Sequence, residues 1–463
     1  YEHEFLPRGT KFDIRITAEG RDDETMGRDQ STGIPRPASS ESVKKLLEVI
    51  VDVLTSGAVC LGGRTGSGQG TIQVIEPKLR RTGKTTDTGA LTAPADVLDA
   101  LIGEDEEGTP IPLELGGWSL EEPARIKITW WSPTGIFVAE DEKLTKQRKA
   151  QKEADNKEKG INEEVHEVVY PLRDPSEEWK KAQLLIPGTS IRGALRSRAS
   201  RIARTVLAAK NELSTFASHD LHEQIAAEPN LVRYMFGSTE YRGAVTVHDC
   251  LSTDCGKLIE VTHNAIDRWT GGVIDGGLFT EAVYLGTHWE PITIDIDLRQ
   301  LLNNIEAEKG PEDDGKTVGA GQTGIGSEDR EQSKPTHADY AHAAYVLLGL
   351  VLAELSAGTL PLGSRSTRGL GQVIVSSIMV RGSTWDGVAI PERKLDGGKA
   401  LEHPGTAASS PTQNRYDAQR KLAGNVLDYL REDIEGAPKW TKRLDDATGK
   451  DGTESKGKED THE

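Results

Sequence analysis

Six basic side chains and no acidic one fall between Leu184 and Lys210, in a chain of 463 residues with a formal net charge of -18. Guanidinium groups gathered in this way suit phosphate recognition. Pro187 and Gly188 make a turn, and Thr189 or Ser190 is placed to cap the helix that follows. Ile191, Leu195, Ile202 and Val206 recur at helical spacing and predict a stripe that faces a core. Arg192, Arg196 and Arg204 form a second stripe, with Arg198 and Arg201 close by. Backbone N–H groups at a helix start, backed by arginines, fit an anionic phosphate. The plainer alternative is a solvated basic face on an ordinary amphipathic helix.

Two glycine-rich loops offer a second place for the same chemistry. Residues 61–70 read LGGRTGSGQG and residues 362–371 read LGSRSTRGLG. Glycine lets the backbone approach a phosphate closely, and Arg64, Arg365 and Arg368 add charge-assisted donors. Neither loop ends in the Lys-Ser/Thr of a nucleotide-binding P-loop, so no nucleotide cofactor is expected.

The elements that must carry these loops recur. Residues 4–16 alternate apolar and polar around a Gly-Thr turn, as do residues 281–296. A helix is predicted after each, over 42–54 and 338–355, and then a glycine-rich loop and a strand, over 71–75 and 372–375. The pattern is an internal repeat whose first copy keeps only its C-terminal half. The N-terminal half of that copy is expected upstream or on a separate chain. In the second copy, residues 125–130, RIKITW, read as a strand. Residues 140–163 are highly charged without apolar periodicity, either an exposed helix or disordered. Residues 303–336 read as a flexible low-complexity insertion. After Arg381 the pattern dissolves into a polar tail holding one helix over 413–430, with Leu422, Val426, Leu427 and Leu430 on one side and disorder over the last twenty residues.

Composition narrows the class. Hydrophobic residues make up 35% of the chain and charged residues 28%, with 49 glycines, which implies long polar loops around modest cores. No apolar run reaches the roughly 20 residues of a membrane span and no signal peptide opens the sequence, so a cytoplasmic protein without a membrane partner is expected. Cys60, Cys250 and Cys255 build neither a disulfide scaffold nor a zinc site. His219 and His222 share a helical face but have no third ligand. An acidic chain is an awkward nucleic-acid binder, yet residues 96–122 alone hold nine acidic side chains and no basic one. Local charge governs a binding groove, because screening limits its reach to about 8–10 Å.

Five ordered motifs point to a family. Leu185-Ile186-Pro187-Gly188-Thr189-Ser190-Ile191-Arg192-Gly193-Ala194-Leu195-Arg196 resembles the IPGSSLKGALR signature of the RAMP superfamily, the repeat-associated proteins of CRISPR effector complexes. Tyr234-Met235-Phe236-Gly237-Ser238 resembles its LFGS segment, followed by a strand-like Ala244–Asp249. Residues 264–272, NAIDRWTGG, resemble xxIDRxTGG, and Leu278-Phe279-Thr280-Glu281 with Leu285-Gly286-Thr287 is similar to LF…E…PAGT. Residues 362–371 match the glycine-rich loop. The resemblance covers roughly 125–382 and is closest to the backbone subunit of type III effectors in a fused tandem form.

That resemblance implies α+β, ferredoxin-like domains of the RNA-recognition type, with a glycine-rich loop and long insertions. The alternation of strands with two helices in a β-α-β-β-α-β order fits the same class. The implied organisation is a C-terminal half-repeat over 1–76, an acidic linker over 77–122, a complete repeat over 123–382 with insertions at 140–170 and 303–336, and a tail over 383–463. The implied partners are guide RNA, complementary target RNA and other subunits of an effector complex. Residues 264–279 correspond to a hairpin thumb that crosses the guide–target duplex, with Trp269 available to stack on a base and Ile266 or Val273 to wedge. The alternative packs Trp269 in a core.

Active members place an aspartate a short distance before the Arg173-Asp174-Pro175 position. Here the counted residue is Val168, flanked by Glu167 and His166. Glu167 after a one-residue slip, or Asp141 from the same segment, is the candidate carboxylate for Mg²⁺, and His166 is the candidate proton carrier. Mg²⁺ is expected only if the chain is a target-cleaving endoribonuclease. The alternatives are a non-cleaving subunit, a protein scaffold, and a guide-processing endoribonuclease. The last would place a catalytic histidine near the helix over 189–207, which has none.

Overall fold

The computed structural model describes residues 9–18, 40–55, 59–62, 70, 72–81, 109–114, 122–161, 165–175, 181–209, 228–310, 335–402, 412–434 and 440. The chain forms two compact units, one from Pro123 onward with short N-terminal pieces, the other within residues 11–122.

The larger unit is organised on β3 (Ala124–Ser132), the RIKITW strand. Ala124, Ile126, Ile128 and Trp130 are buried, whereas Arg125, Lys127 and Thr129 face away. This is the period-two alternation of a sheet covered on one face. The partners of β3 are β11 (Ile292–Ile296) and β12 (Ile374–Arg381), both antiparallel, and β6 (Val245–Val247) lies beyond β11. Register lines up Val380, Ile126, Ile294 and Val247 in one row and Ile378, Ile128 and Ile292 in the next. Each of these side chains is buried, which contributes about 1.5–3 kcal/mol apiece. In chain order the spatial sequence is fourth, first, third, second strand, the antiparallel arrangement of a split β-α-β fold. The fold is α+β, as expected.

Strands extend this sheet on both sides. β10 (Thr287–Trp289) pairs with the end of β3, then come β7 (Cys250–Asp254) and β5 (Leu185–Ile186). Two helices cover the apolar face. α3 (Gly188–Ala209) follows β5 and buries Ile191, Leu195, Ala199, Ala203 and Leu207, one residue every fourth position. The expected Ile202 and Val206 lie beside this stripe, partly buried. α6 (His337–Ser356) starts with a full capping box on Thr336 and Asp339. It is apolar all round and long enough to cross a membrane, but 78% of its apolar window is buried within the fold. A helix of this kind needs cover on every side. That cover comes from α3, α4 (Asn230–Phe236), α5 (Leu298–Lys309), β12 and α7 (Thr412–Glu432).

Residues 382–402 and 412–434 are therefore not a polar tail. β13 (Ser383–Trp385) and β14 (Val388–Ile390) form a hairpin, and β15 (Arg393–Asp396) adds an edge strand beside β12. α7 buries Leu422, Val426, Tyr429 and Leu430 against α6, while Leu427 is 38% exposed and stands off the buried face. Residues 441–463 lie outside the described residues. The charged stretch over 140–163 resolves into α2 (Glu142–Glu158), an exposed helix whose only buried residue is Thr145. Of the insertion predicted over 303–336, residues 303–310 complete α5 and its Gly310 cap, and residues 311–334 lie outside the described residues.

In the smaller unit the predicted helix is α1 (Ser40–Thr55). β1 (Leu79–Arg81) and β2 (Thr109–Ile111) pair antiparallel, so the stretch read as a linker holds strands. Glu48 of α1 accepts from the backbone N–H of Glu114. Of the strands predicted within 4–16 and over 71–75, the described parts, residues 9–16 and 72–75, are not strand, and the remainder lies outside the described residues. Phe12, Ile14 and Ile16 are exposed, and no described strand offers them a ladder partner.

Candidate nucleic-acid interface

The arginine helix serves a different end from its sequence reading. α3 begins at Gly188, whose N–H donates to Asp249 Oδ1 at 2.7 Å. A carboxylate thus stands where a phosphate was expected, and the cap is Asp249 rather than the exposed Thr189 or the half-buried Ser190. Arg192 donates to the carbonyls of Phe236 and Val245 and lies over the Phe236 ring. Burial, with Arg196 and Arg242 nearby, pushes its pKa below the ordinary arginine value. Arg196 donates to both oxygens of Glu228 and to the Gly237 carbonyl. Arg198 is paired with Glu354. These three hold the fold together. Further along, exposed Arg201 and half-buried Arg204 join Arg196, Ser197, Ser200 and Thr205 on an open groove of about 550 Å³.

The second feature is a long hairpin. β8 (Lys257–Ile266) and β9 (Val273–Leu285) pair antiparallel along their length. Asp267 shapes the turn: its Oδ1 accepts from the N–H groups of Trp269 and Thr270, which hold its carboxyl below the usual range. Trp269 stands at the tip with 97% of its surface exposed. The core-packing alternative is excluded. Ile266 and Val273 face each other across the strands next to the tip, and both are exposed.

The hairpin is rooted on the glycine-rich loop. The Leu362 N–H donates to the Gly371 carbonyl at 3.0 Å and closes that loop. Gly371 has φ +87°, and a Cβ there would lie 2.5 Å from the Leu362 oxygen, so the closure requires glycine. Arg365 sits at φ 65°, a left-handed conformation uncommon for a side-chain-bearing residue. It donates to Glu281 of β9 at 2.6 Å, and Arg368 donates to the same carboxylate at 3.2 Å. In the smaller unit Leu61 N–H closes on the Gly70 carbonyl at 2.8 Å in the same way. Arg64 lies outside the described residues.

β4 (Val168–Val169) runs parallel to β9, with Val168 opposite Thr280 and Val169 opposite Glu281. This places the counted catalytic position at the hairpin stem. His166 and Glu167 precede it and are exposed. Asp141 is engaged elsewhere, since its carboxylate caps α2 by accepting from the Lys143 N–H at 2.7 Å. Among the described residues no three His, Cys, Asp or Glu side chains gather to hold a metal ion. Glu281, buried between loop and hairpin, was visible only as a motif letter, because its partners His263, Arg365 and Arg368 lie far from it in sequence.

Residues 183–374, from β5 to the first residue of β12, match the model of the RAMP superfamily, and this part of the chain is a domain of that superfamily. The chain is similar to a chain in a cryo-EM structure of the type III-B Cmr-beta bound to cognate target RNA, at 12% identity and a TM-score of 0.28. The match covers 56% of this chain and spans 61% of that one. No curated protein matches.

Proposed function

We propose that the chain is an RNA-binding backbone subunit of a type III CRISPR effector complex, which holds guide RNA and complementary target RNA among its neighbouring subunits. The observation that carries this reading is the bare indole of Trp269 at the end of a hairpin whose root is fixed to an arginine-bearing loop. A tryptophan so exposed gains nothing within its own fold, and base stacking contributes about 1–3 kcal/mol. The α3 groove with Arg201, Arg204 and its hydroxyls supplies phosphate contacts in place of Arg192. A pure protein scaffold would use the same tryptophan as an interface anchor and predicts unchanged RNA affinity for Trp269→Ala. In this reading Glu167 and His166 beside β4 are the carboxylate and proton carrier for target cleavage, since Asp141 caps its helix.

The test is filter binding of the full chain to labelled poly(U) RNA. Trp269→Ala is expected to raise Kd about tenfold or more at unchanged melting temperature. Equal affinity for the variant and the wild type would overturn the reading.

A further inference from the structure

One carboxylate at the root of the hairpin faces three side chains able to carry positive charge. Glu281 Oε1 accepts from Arg365 Nε at 2.6 Å, and its Oε2 lies 3.2 Å from Arg368 Nη1 and 3.4 Å from His263 Nε2. Phe279 packs beneath both His263 and Arg368, and Phe137 beneath Arg365. Glu281 is 1% exposed, yet the two arginine side chains keep 37% and 39% of their surface in solvent. A guanidinium presents five N–H donors in a rigid fork, so one bond to Glu281 leaves most donors of each arginine for a second acceptor.

Resting on the RNA-binding reading above, we propose that Glu281 is the positioning residue of a two-arginine phosphodiester site at the hairpin root. The buried carboxylate fixes both forks before RNA arrives, which removes the ordering cost of two long side chains. It also ties the glycine-rich loop to the hairpin, so the phosphate held at the root and the base met at the Trp269 tip share one rigid frame. Net charge alone predicts the opposite effect for this residue. Without Glu281 the site is more cationic, and binding limited by net charge would tighten.

The experiment uses the full chain and labelled poly(U) RNA across a salt series. Four proteins are compared: wild type, Glu281→Gln, the pair Arg365→Ala with Arg368→Ala, and the triple variant. Glu281→Gln is expected to raise Kd about tenfold, as is the arginine pair, while the triple variant binds no worse than the pair. Tighter or unchanged binding by Glu281→Gln overturns the inference. So does a Glu281→Gln loss that persists in the background lacking both arginines, because that loss would come from the fold and not through the arginines. Wild-type binding by the arginine pair instead overturns the assignment of the loop to RNA. Where Glu281→Gln does not fold, Glu281→Asp keeps the charge at shorter reach and enters the same cycle.

Discussion

Arg196 grips Glu228 at two points, Nε to Oε1 at 3.1 Å and Nη2 to Oε2 at 2.5 Å. The same guanidinium reaches the Gly237 carbonyl, and Arg192 one turn earlier takes the Phe236 carbonyl. Two arginines of the signature helix thus fasten the end of α4 and the loop after it. Gly243 packs tightly in this corner, where an added Cβ would meet Arg192 Nη2 at 2.8 Å.

It follows that Arg192→Ala and Arg196→Ala act first on stability. Each leaves backbone carbonyls or a carboxylate without a charged donor, at a cost of about 1.5–3 kcal/mol. Thermal denaturation should show both variants melting several degrees below wild type. The salt slope of RNA binding should stay close to that of wild type, whereas removing an arginine that does neutralise a phosphate lowers the slope by about 0.7. Undisturbed melting with a reduced slope would return these residues to the RNA.

Which parts were legible in the sequence follows from how locally each was encoded. β3 was legible because every second residue is buried, and α3 because its apolar residues keep helical spacing. The hairpin and the glycine-rich loop were legible as motifs. The use of Arg192 and Arg196 was not, since a guanidinium fork suits a carbonyl or a carboxylate as well as a phosphate, and Glu228 lies 32 residues away. β15 was missed for another reason. Only Leu395 faces inward, and a charged edge strand has the composition of a loop. Leu427 was assigned to the buried side of α7, but the helix phase puts Tyr429 there, with its hydroxyl on that of Tyr345.

The C-terminal helix should behave as core. Leu430 fills the space above Gly349 of α6, where even a Cβ would lie 2.4 Å from its side chain. Leu430→Ala should therefore destabilise the fold by about 2–5 kcal/mol, read as a shifted midpoint in urea. Deleting residues 403–463 removes the cover of an all-apolar helix and should leave an aggregating product. A soluble, cooperatively melting truncation would show that α7 is dispensable and that the region is the tail its composition implied.

On the face of the sheet away from the helices, Asp295 of β11 joins Arg125 of β3 and His248. Arg125 donates to both carboxylate oxygens at 2.6 and 2.9 Å, and His248 Nε2 lies 2.8 Å from Oδ2. Burial raises the Asp295 pKa, but the hydrogen bonds from His248 and Arg125 outweigh it and hold the carboxyl below its ordinary value. A carboxylate with a depressed folded pKa contributes stability that is fully present above the unfolded value of about 3.9 and is lost as pH falls below it. The chain should therefore lose stability as the pH falls below about 4, with part of that loss belonging to this one group. Asp295→Asn keeps the shape and removes the titration. It should be less stable than wild type at pH 7, with a difference that shrinks as the pH drops through the carboxylate range. Urea midpoints at a series of pH values give the comparison, and a constant difference across that series would show that the Asp295 cluster contributes no acid dependence.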